Sequence, residues 1–185
     1  MKAIQYSVLP DGREIKIGQL EPDDLPVLHT YLNSLSDLTR QRFAPHGFDK
    51  NAIANIHRAG SPFLGFLARE KGSEMIIAYA IIKVGILEHD QPRLQQYLAV
   101  NGTLMNFTYA PSVADSWQGT GTGTAMLKYI IQALKPQTGY RLILWGGVQA
   151  GNQSAIRFYQ KNGFIVLGQF SYNGPNLDMV LPVTG

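Results

Sequence analysis

Three glycines, Gly119, Gly121 and Gly123, alternate with Thr120, Thr122 and Thr124 inside the run SVADSWQGTGTGTAMLKYIIQAL, residues 112–134. Glycine lets a backbone approach a ligand closely and adopt φ > 0. The apolar spacing after Thr124 is helical, so this turn opens a helix. The first amides of a helix have no carbonyl partners, and the macrodipole adds partial positive charge there. A turn of this kind suits a phosphate or a pyrophosphate. Charge agrees with it: residues 116–177 contain no Asp or Glu, while Lys128, Lys135, Arg141, Arg157 and Lys161 all fall within them. A locally basic half favours a polyanionic ligand; an ordinary solvated basic face is the plainer alternative.

The elements that must hold this turn follow from pattern. Residues 13–20 alternate as a first strand after an Asp11-Gly12 turn. Glu21-Pro22-Asp23-Asp24 starts a helix with Leu25, Leu28, Leu32 and Leu35 on one stripe. A second short helix is expected around residues 37–43, and Asp49 caps a third over residues 51–58. Residues 34–48 gather Thr39, Arg40, Arg42, Phe43, His46 and Phe48, which suit either a ligand-facing wall or a packed helix-turn-helix. Residues 62–69 and 75–87 form a hairpin about Lys71-Gly72-Ser73. Residues 88–100 are polar and broken by Pro92, a loop with a short helix covering one side of a site. Residues 103–113 are the next strand, its ladder interrupted at Pro111, which has no N–H.

After the turn, Met126, Leu127, Ile130, Ile131 and Leu134 share one helix side, and Pro136 ends that helix. Residues 141–148 are a buried strand ending weakly at Gly146-Gly147. Asn152 caps a helix through Asn162, which Gly163 terminates. Residues 164–172 and 176–182 form a closing hairpin. The order is strand, helices, three strands, helix, strand, helix, two strands. The fold class is α/β, with a mixed sheet of about seven strands flanked by helices.

The totals exclude several functions. The chain has 185 residues, enough for one domain with a sizeable core. It has no cysteine, which removes disulfides, thiolate metal sites and a cysteinyl acyl-enzyme, and fits a reducing cytoplasm. The N-terminus lacks the apolar run of a signal peptide, and no stretch approaches a membrane span. A net charge of +3 without basic-aromatic motifs argues against nucleic acid. His29, His46, His57 and His89 are scattered without ligand spacing, so no metal is expected.

Three glycine-rich phosphate motifs compete for the turn. A P-loop requires Gly-Lys-Ser/Thr at its end, which is absent. A dinucleotide fingerprint requires G-x-G-x-x-G and an acidic residue about 20 positions on. Counting from Gly119 or Gly121 the sixth position is Thr124 or Met126, and the region has no acid. The third fits: Gln118-Gly119-Thr120-Gly121-Thr122-Gly123 matches Q/R-x-x-G-x-G/A and resembles the acyl-CoA pyrophosphate loop of the GNAT N-acetyltransferase superfamily. Val113-Ala114-Asp115-Ser116-Trp117 is similar to that family's approach to the loop. Asn152-x-x-Ala155-x-x-Phe158-Tyr159-x-x-x-Gly163-Phe164 is similar to its second motif.

The resemblance implies a largely antiparallel central sheet in one acetyltransferase domain over residues 1–185. Residues 13–100 would carry the acceptor-side helices and residues 103–183 the acyl-CoA half. It implies acetyl-CoA as co-substrate and no metal. Amides from Gln118 to Thr124 would hold the pyrophosphate, with Thr122 and Thr124 adding hydroxyls. Ser112 and Val113 would pair their backbone with the pantetheine arm, and Asn152 would reach the same arm while capping its helix. Tyr159 would be the general acid, since a phenol is protonated at neutral pH and can protonate a departing thiolate.

The acceptor would be an amine of a small molecule or a protein, attacking the thioester directly. Many members place a carboxylate on the strand before the loop, but residues 103–113 contain none. The base is left among a water held by Asn106, Thr108 or Tyr109, or Glu88, His89 or His46. The missing carboxylate also keeps a second function open, a non-catalytic CoA-binding sensor. Asp37, Asp49, Glu88 and Asp90 are either attractors for a cationic amine or solvated loop charges. The apolar final strand, residues 177–183, is compatible with a homodimer.

Overall fold

Apolar alternation and helical stripes decide which segments become elements. A computed structural model describes residues 4–98, 104–134 and 139–183. Val100, Thr103, Lys135 and Pro136, named above within expected elements, lie outside the described residues. The chain divides into two compact units, Met1–Ile82 with Ala110–Leu134, and Lys83–Tyr109 with Lys135–Gly185. Strands β4 (Ile76–Val84) and β5 (Met105–Val113) each pass from one unit into the other.

The first unit begins with β1 (Gln5–Val8) and β2 (Glu14–Gln19), paired antiparallel with Val8 opposite Glu14. Ile15 and Ile17 of β2 are fully buried while Glu14 is exposed, the alternation of a half-buried strand. A 3-10 turn at Pro22–Asp24 leads into α1 (Leu25–Ser34), whose Leu28, Tyr31 and Leu32 face the core. Ser36 caps α2 (Asp37–Arg42) by accepting from the Thr39 amide. Asp49 caps α3 (Lys50–Ile56) by accepting from Asn51 and Ala52. Strand β3 (Phe63–Glu70) pairs antiparallel with β2 and neighbours β4 in the sheet. Residues 76–82 of β4 are all buried, as a strand covered on both faces requires. After β5 comes a 3-10 turn at Asp115–Trp117, and then α5 (Thr122–Ala133), which buries Met126, Leu127 and Ile130.

The second unit holds α4 (Gln91–Leu94), β6 (Tyr140–Leu144), β7 (Val148–Gln149), α6 (Gln153–Lys161), β8 (Ile165–Ser171) and β9 (Pro175–Val183). Strands β5 and β6 run parallel, with Tyr109 opposite Leu144, while β6, β7 and β8 all pair antiparallel with β9. The final strand is therefore flanked on both sides: Val180 faces Ile143 of β6 and Ile165 of β8. The α/β class and the mixed, mostly antiparallel sheet agree with the sequence reading. The described sheet has nine strands, two more than the expected seven, and the additions are β1 and the two-residue β7.

The polar stretch after β4 is not a solvated loop. Leu94 and Leu98 pack with Ile143 and Val180 in a buried cluster. Arg93 donates to the Asp178 carboxylate at 2.8 and 3.0 Å and to Asp90 at 2.7 Å, and its guanidinium lies 3.6 Å above the Phe170 ring. Both carboxylates are buried, which demands such pairing. Asp90 is thus a structural charge. Asp49 is spent on its cap and Asp37 on an exposed ion pair with Arg40.

Candidate functional site

The glycine turn is built from an unusual helix start. Gly121 is the N-cap of α5 with φ 98°, and no side chain caps this helix. Gly119 has φ 77°. Left-handed φ costs a non-glycine residue about 1–2 kcal/mol, so glycine belongs at both positions. Gly121 has a second reason: a Cβ there would sit 2.9 Å from Pro10 Cδ, in the turn between β1 and β2. At Gly119 a Cβ would meet open space. Among the described residues, no acceptor faces the amides of Gly119, Thr120, Gly121 or Gly123.

The turn is held from behind. Thr120 Oγ1 donates to Trp117 O at 2.7 Å and lies 2.8 Å from Thr122 Oγ1. Thr122 is fully buried, so its hydroxyl serves the turn itself. Arg13, paired with Asp11, lies 3.9 Å above the Trp117 ring. Gln118 is exposed; its Nε2 donates to Val113 O at 3.2 Å and to Thr39 Oγ1 at 3.4 Å. Asp115 accepts from Ser36 N at 3.1 Å, Ser36 Oγ at 2.7 Å and Thr39 Oγ1 at 2.8 Å. The Ser36 bonds above all hold its carboxyl below the usual range.

The end of β5 divides its backbone between two sides. Ala114 N donates to Ile77 O at 2.8 Å. Alternate residues of a strand present their backbone to the same neighbour, so Ser112 also turns towards β4 and Val113 turns away from it. Ser112 is buried; its Oγ accepts from Tyr31 Oη at 3.1 Å and donates to Tyr79 O at 3.2 Å.

Tyr79 carries a cluster that no residue spacing announces. Its hydroxyl lies 3.1 Å from His46 Nε2 and 2.8 Å from His57 Nε2. His46 Nδ1 lies 2.7 Å from Gly47 O, which fixes the proton on Nδ1. Nε2 of His46 then accepts the Tyr79 proton, and His57 Nε2–H donates to Tyr79. Burial lowers the pKa of His46 and pushes that of His57 down to about 4, with the His46 charge adding to the second effect. Both rings are therefore neutral at pH 7. Of the residues 34–48 thought able to face a ligand, Phe43 and His46 pack on Tyr79.

In the second unit, Asn152 caps α6: its Oδ1 accepts from Ala155 N at 3.3 Å. Tyr159 lies on the same helix and is 8% exposed. Its ring packs against Phe158 at 5.2 Å and Phe164 at 5.1 Å. Burial raises its pKa, so it is fully protonated at neutral pH. Of the alternatives for a base, Thr108 Oγ1 is committed to Gly85 O at 2.8 Å. Asn106 Oδ1 and Tyr109 Oη are buried and have no partner among the described residues. Among the described residues no three His, Asp or Glu side chains converge as a metal site, and no helix is long and apolar enough to cross a membrane.

The long-range supports escaped sequence reading, since nothing in the order of residues ties Arg13 to Trp117 or His57 to Tyr79.

Comparison with known proteins bears on this arrangement. The sequence matches the Acetyltransferase (GNAT) family over residues 30–164. No curated protein matches it. Among solved structures, it is similar to the GNAT domain of S. lividans PAT, at 18% identity over 97% of each chain with a TM-score of 0.73. It is also similar to an aminoglycoside acetyltransferase, AAC(6')-Ib, in complex with coenzyme A, at 18% identity over 91% of this chain and 94% of that one, TM-score 0.64. A third likeness is to Arabidopsis thaliana NAA60 in complex with acetyl-CoA, at 21% identity over 91% and 97%, TM-score 0.59. At these identities the likeness is one of fold.

Proposed function

Because the chain belongs to the Acetyltransferase (GNAT) family, whose profile covers residues 30–164, we propose that it transfers an acetyl group from acetyl-CoA to a primary amine. The observation that carries this reading is the uncapped start of α5, where the amides of Gly119, Thr120, Gly121 and Gly123 lack acceptors among the described residues. Open donors at a helix N-terminus suit the pyrophosphate of coenzyme A. In this reading Gln118 and Thr124 flank the phosphates. Thr122 completes the loop from within: its amide donates to Thr120 Oγ1 at 3.4 Å in the free protein and turns to the phosphate on binding, while its hydroxyl stays with Thr120. The pantetheine arm pairs with the backbone of β5 at Ser112 and Val113, with Val113 presenting the outward-facing groups. Asn152 keeps its cap through Oδ1 and offers its Nδ2 donors to the same arm.

The amine nitrogen attacks the thioester carbon while a strand amide polarises the carbonyl oxygen. The C–S bond breaks, and the departing sulfur takes the proton of Tyr159 Oη. The amine loses its proton to water, and the Tyr159 oxygen regains one from solvent. Coenzyme A and acetyl-CoA in the fold relatives are consistent with this assignment. So is kanamycin, an amine-bearing ligand bound by one of them.

The test uses Gly119, whose Cβ position is open. Asp and Asn both tolerate left-handed φ. Gly119→Asp sets a carboxylate against the phosphates, and Gly119→Asn adds the same shape without charge. Calorimetric titration with acetyl-CoA is expected to show a loss of about tenfold or more in affinity for the Asp variant and a smaller loss for Asn. Equal affinities in all three proteins would move the coenzyme off this turn. Thiol release with a panel of primary amines then identifies the acceptor.

A further inference from the structure

Tyr109 is 1% exposed, and its hydroxyl has no hydrogen-bond partner among the described residues. A buried polar group left unpaired costs about 1–3 kcal/mol, so one that persists points to a use that offsets the cost. The other two such atoms, Gln19 Oε1 and Asn106 Oδ1, belong to carboxamides, whose oxygen and nitrogen exchange by a flip. A phenol has no such freedom. The Tyr109 ring is stacked on Phe164 at 6.4 Å, and Phe164 packs on Tyr159 at 5.1 Å. Phe164 N also donates to Tyr159 O at 3.0 Å, which fixes these rings to one framework. The two phenol rings are thus joined through the single ring of Phe164. Both phenols are strongly held in the neutral form by burial.

That environment creates a difficulty for Tyr159 as an acid, since burial makes its phenolate costly. Some donor must support that phenolate as it forms. We propose that Tyr109 is the positioning partner of Tyr159: its idle hydroxyl donates to the Tyr159 oxygen, directly or through one water, when that oxygen gives up its proton. The inference rests on the acetyl-transfer reading above. The proton leaves Tyr159 Oη for the sulfur as C–S breaks, the negative charge stays on the Tyr159 oxygen, and Tyr109 keeps its own proton while donating. In the resting protein there is no charge to stabilise, and no described protein group bonds the Tyr109 hydroxyl. The site is kept for the transition state at the expense of the ground state.

The test compares Tyr109→Phe, Tyr159→Phe and the double variant with the wild-type protein. The measurements are thermal unfolding and thiol release from acetyl-CoA with the best amine of the panel. Removing an unpaired buried hydroxyl is expected to leave the melting temperature unchanged or raise it. The same change is expected to lower kcat about tenfold or more, with KM for acetyl-CoA held within about twofold. Because Tyr109 acts through Tyr159, adding Tyr109→Phe to Tyr159→Phe is expected to lower kcat no further. A wild-type rate in Tyr109→Phe, or an equal loss in both backgrounds, overturns the partnership and leaves acetyl transfer standing. A lowered melting temperature does the same, since the hydroxyl is then paired and structural. No turnover of any amine by the wild-type protein overturns the parent reading and this inference with it.

Discussion

The two helices α5 and α6 begin in opposite ways. Helix α6 is closed by its own residue: Asn152 Oδ1 accepts from Ala155 N, and Gln153 Nε2 donates to Ala150 O. Helix α5 is left open: Gly121 has no side chain to offer, and the preceding glycine turn adds more unpaired amides. Asn and Gly differ by only a few tenths to about 1 kcal/mol as caps, so leaving a helix open is a small sacrifice. What it provides is a set of donors left open to water or to an external anion. A helix start that caps itself reads as structure, and one that declines to do so is a candidate binding site.

The strongest way to break this contrast is at Gly121. Alanine there meets both a left-handed φ and Pro10 at 2.9 Å, while alanine at Gly119 meets the φ alone. Gly121→Ala is expected to destabilise the protein by about 3 kcal/mol and Gly119→Ala by about 1–2 kcal/mol. Urea denaturation measures both. Equal losses would mean that the β1–β2 turn does not brace the glycine turn, and that openness at α5 is not maintained from behind.

The sequence was most legible where chemistry is local. The glycine turn, the Asn152 and Asp49 caps and the closing hairpin each announce themselves within a few residues, because turn and cap chemistry is short-range. Strand β1 was not legible: Gln5–Val8 is short, and Tyr6 and Val8 lie exposed on a strand with one neighbour. Strand β7 has two residues and is defined only by pairing with β9. The buried Asp90–Arg93–Asp178 group spans 85 positions between Arg93 and Asp178, so a stretch that reads as polar loop is partly core. The candidate site divides in the same way. Its glycines and Asn152 were visible as motif, whereas the bracing Arg13, the Asp115 contacts and the idle hydroxyl of Tyr109 exist only in three dimensions.

A smaller effect sharpens the comparison from the closed side. Asn152→Ala removes the α6 cap and is expected to cost about 1 kcal/mol of stability. Asn152→Asp keeps an oxygen for Ala155 N and removes only the Nδ2 donors. Its melting temperature should match the wild type, while its affinity for acetyl-CoA falls a few-fold, about 1 kcal/mol for a lost hydrogen bond. Unchanged affinity in the Asp variant would assign Asn152 to structure alone, and α6 would then be closed in every sense.

The smallest expected effect separates the two helices' surroundings by pH. In the first unit, His46 and His57 are held neutral around Tyr79, with both pKa values depressed by burial. The unfolded chain binds protons at these rings below about pH 6.5. Their contribution to stability is thus complete above that value and is lost as pH falls through the window down to about 4 for His57. The Asp49 cap and the Asp115 contact do not interfere there, since the Ala52 amide and the Ser36 hydroxyl hold these carboxyls below the usual carboxylate range and they stay ionised. Protonating His46 at Nε2 takes away the acceptor of the Tyr79 hydroxyl, and a second charge on His57 repels the first. His46 follows α2 and His57 is the C-cap of α3, whereas α6 has no histidine. Between pH 7 and pH 5, amide exchange corrected for intrinsic rate should lose protection in α2 and α3 before α6 does. A uniform loss across all three would mean that the histidine cluster is not what acid attacks first.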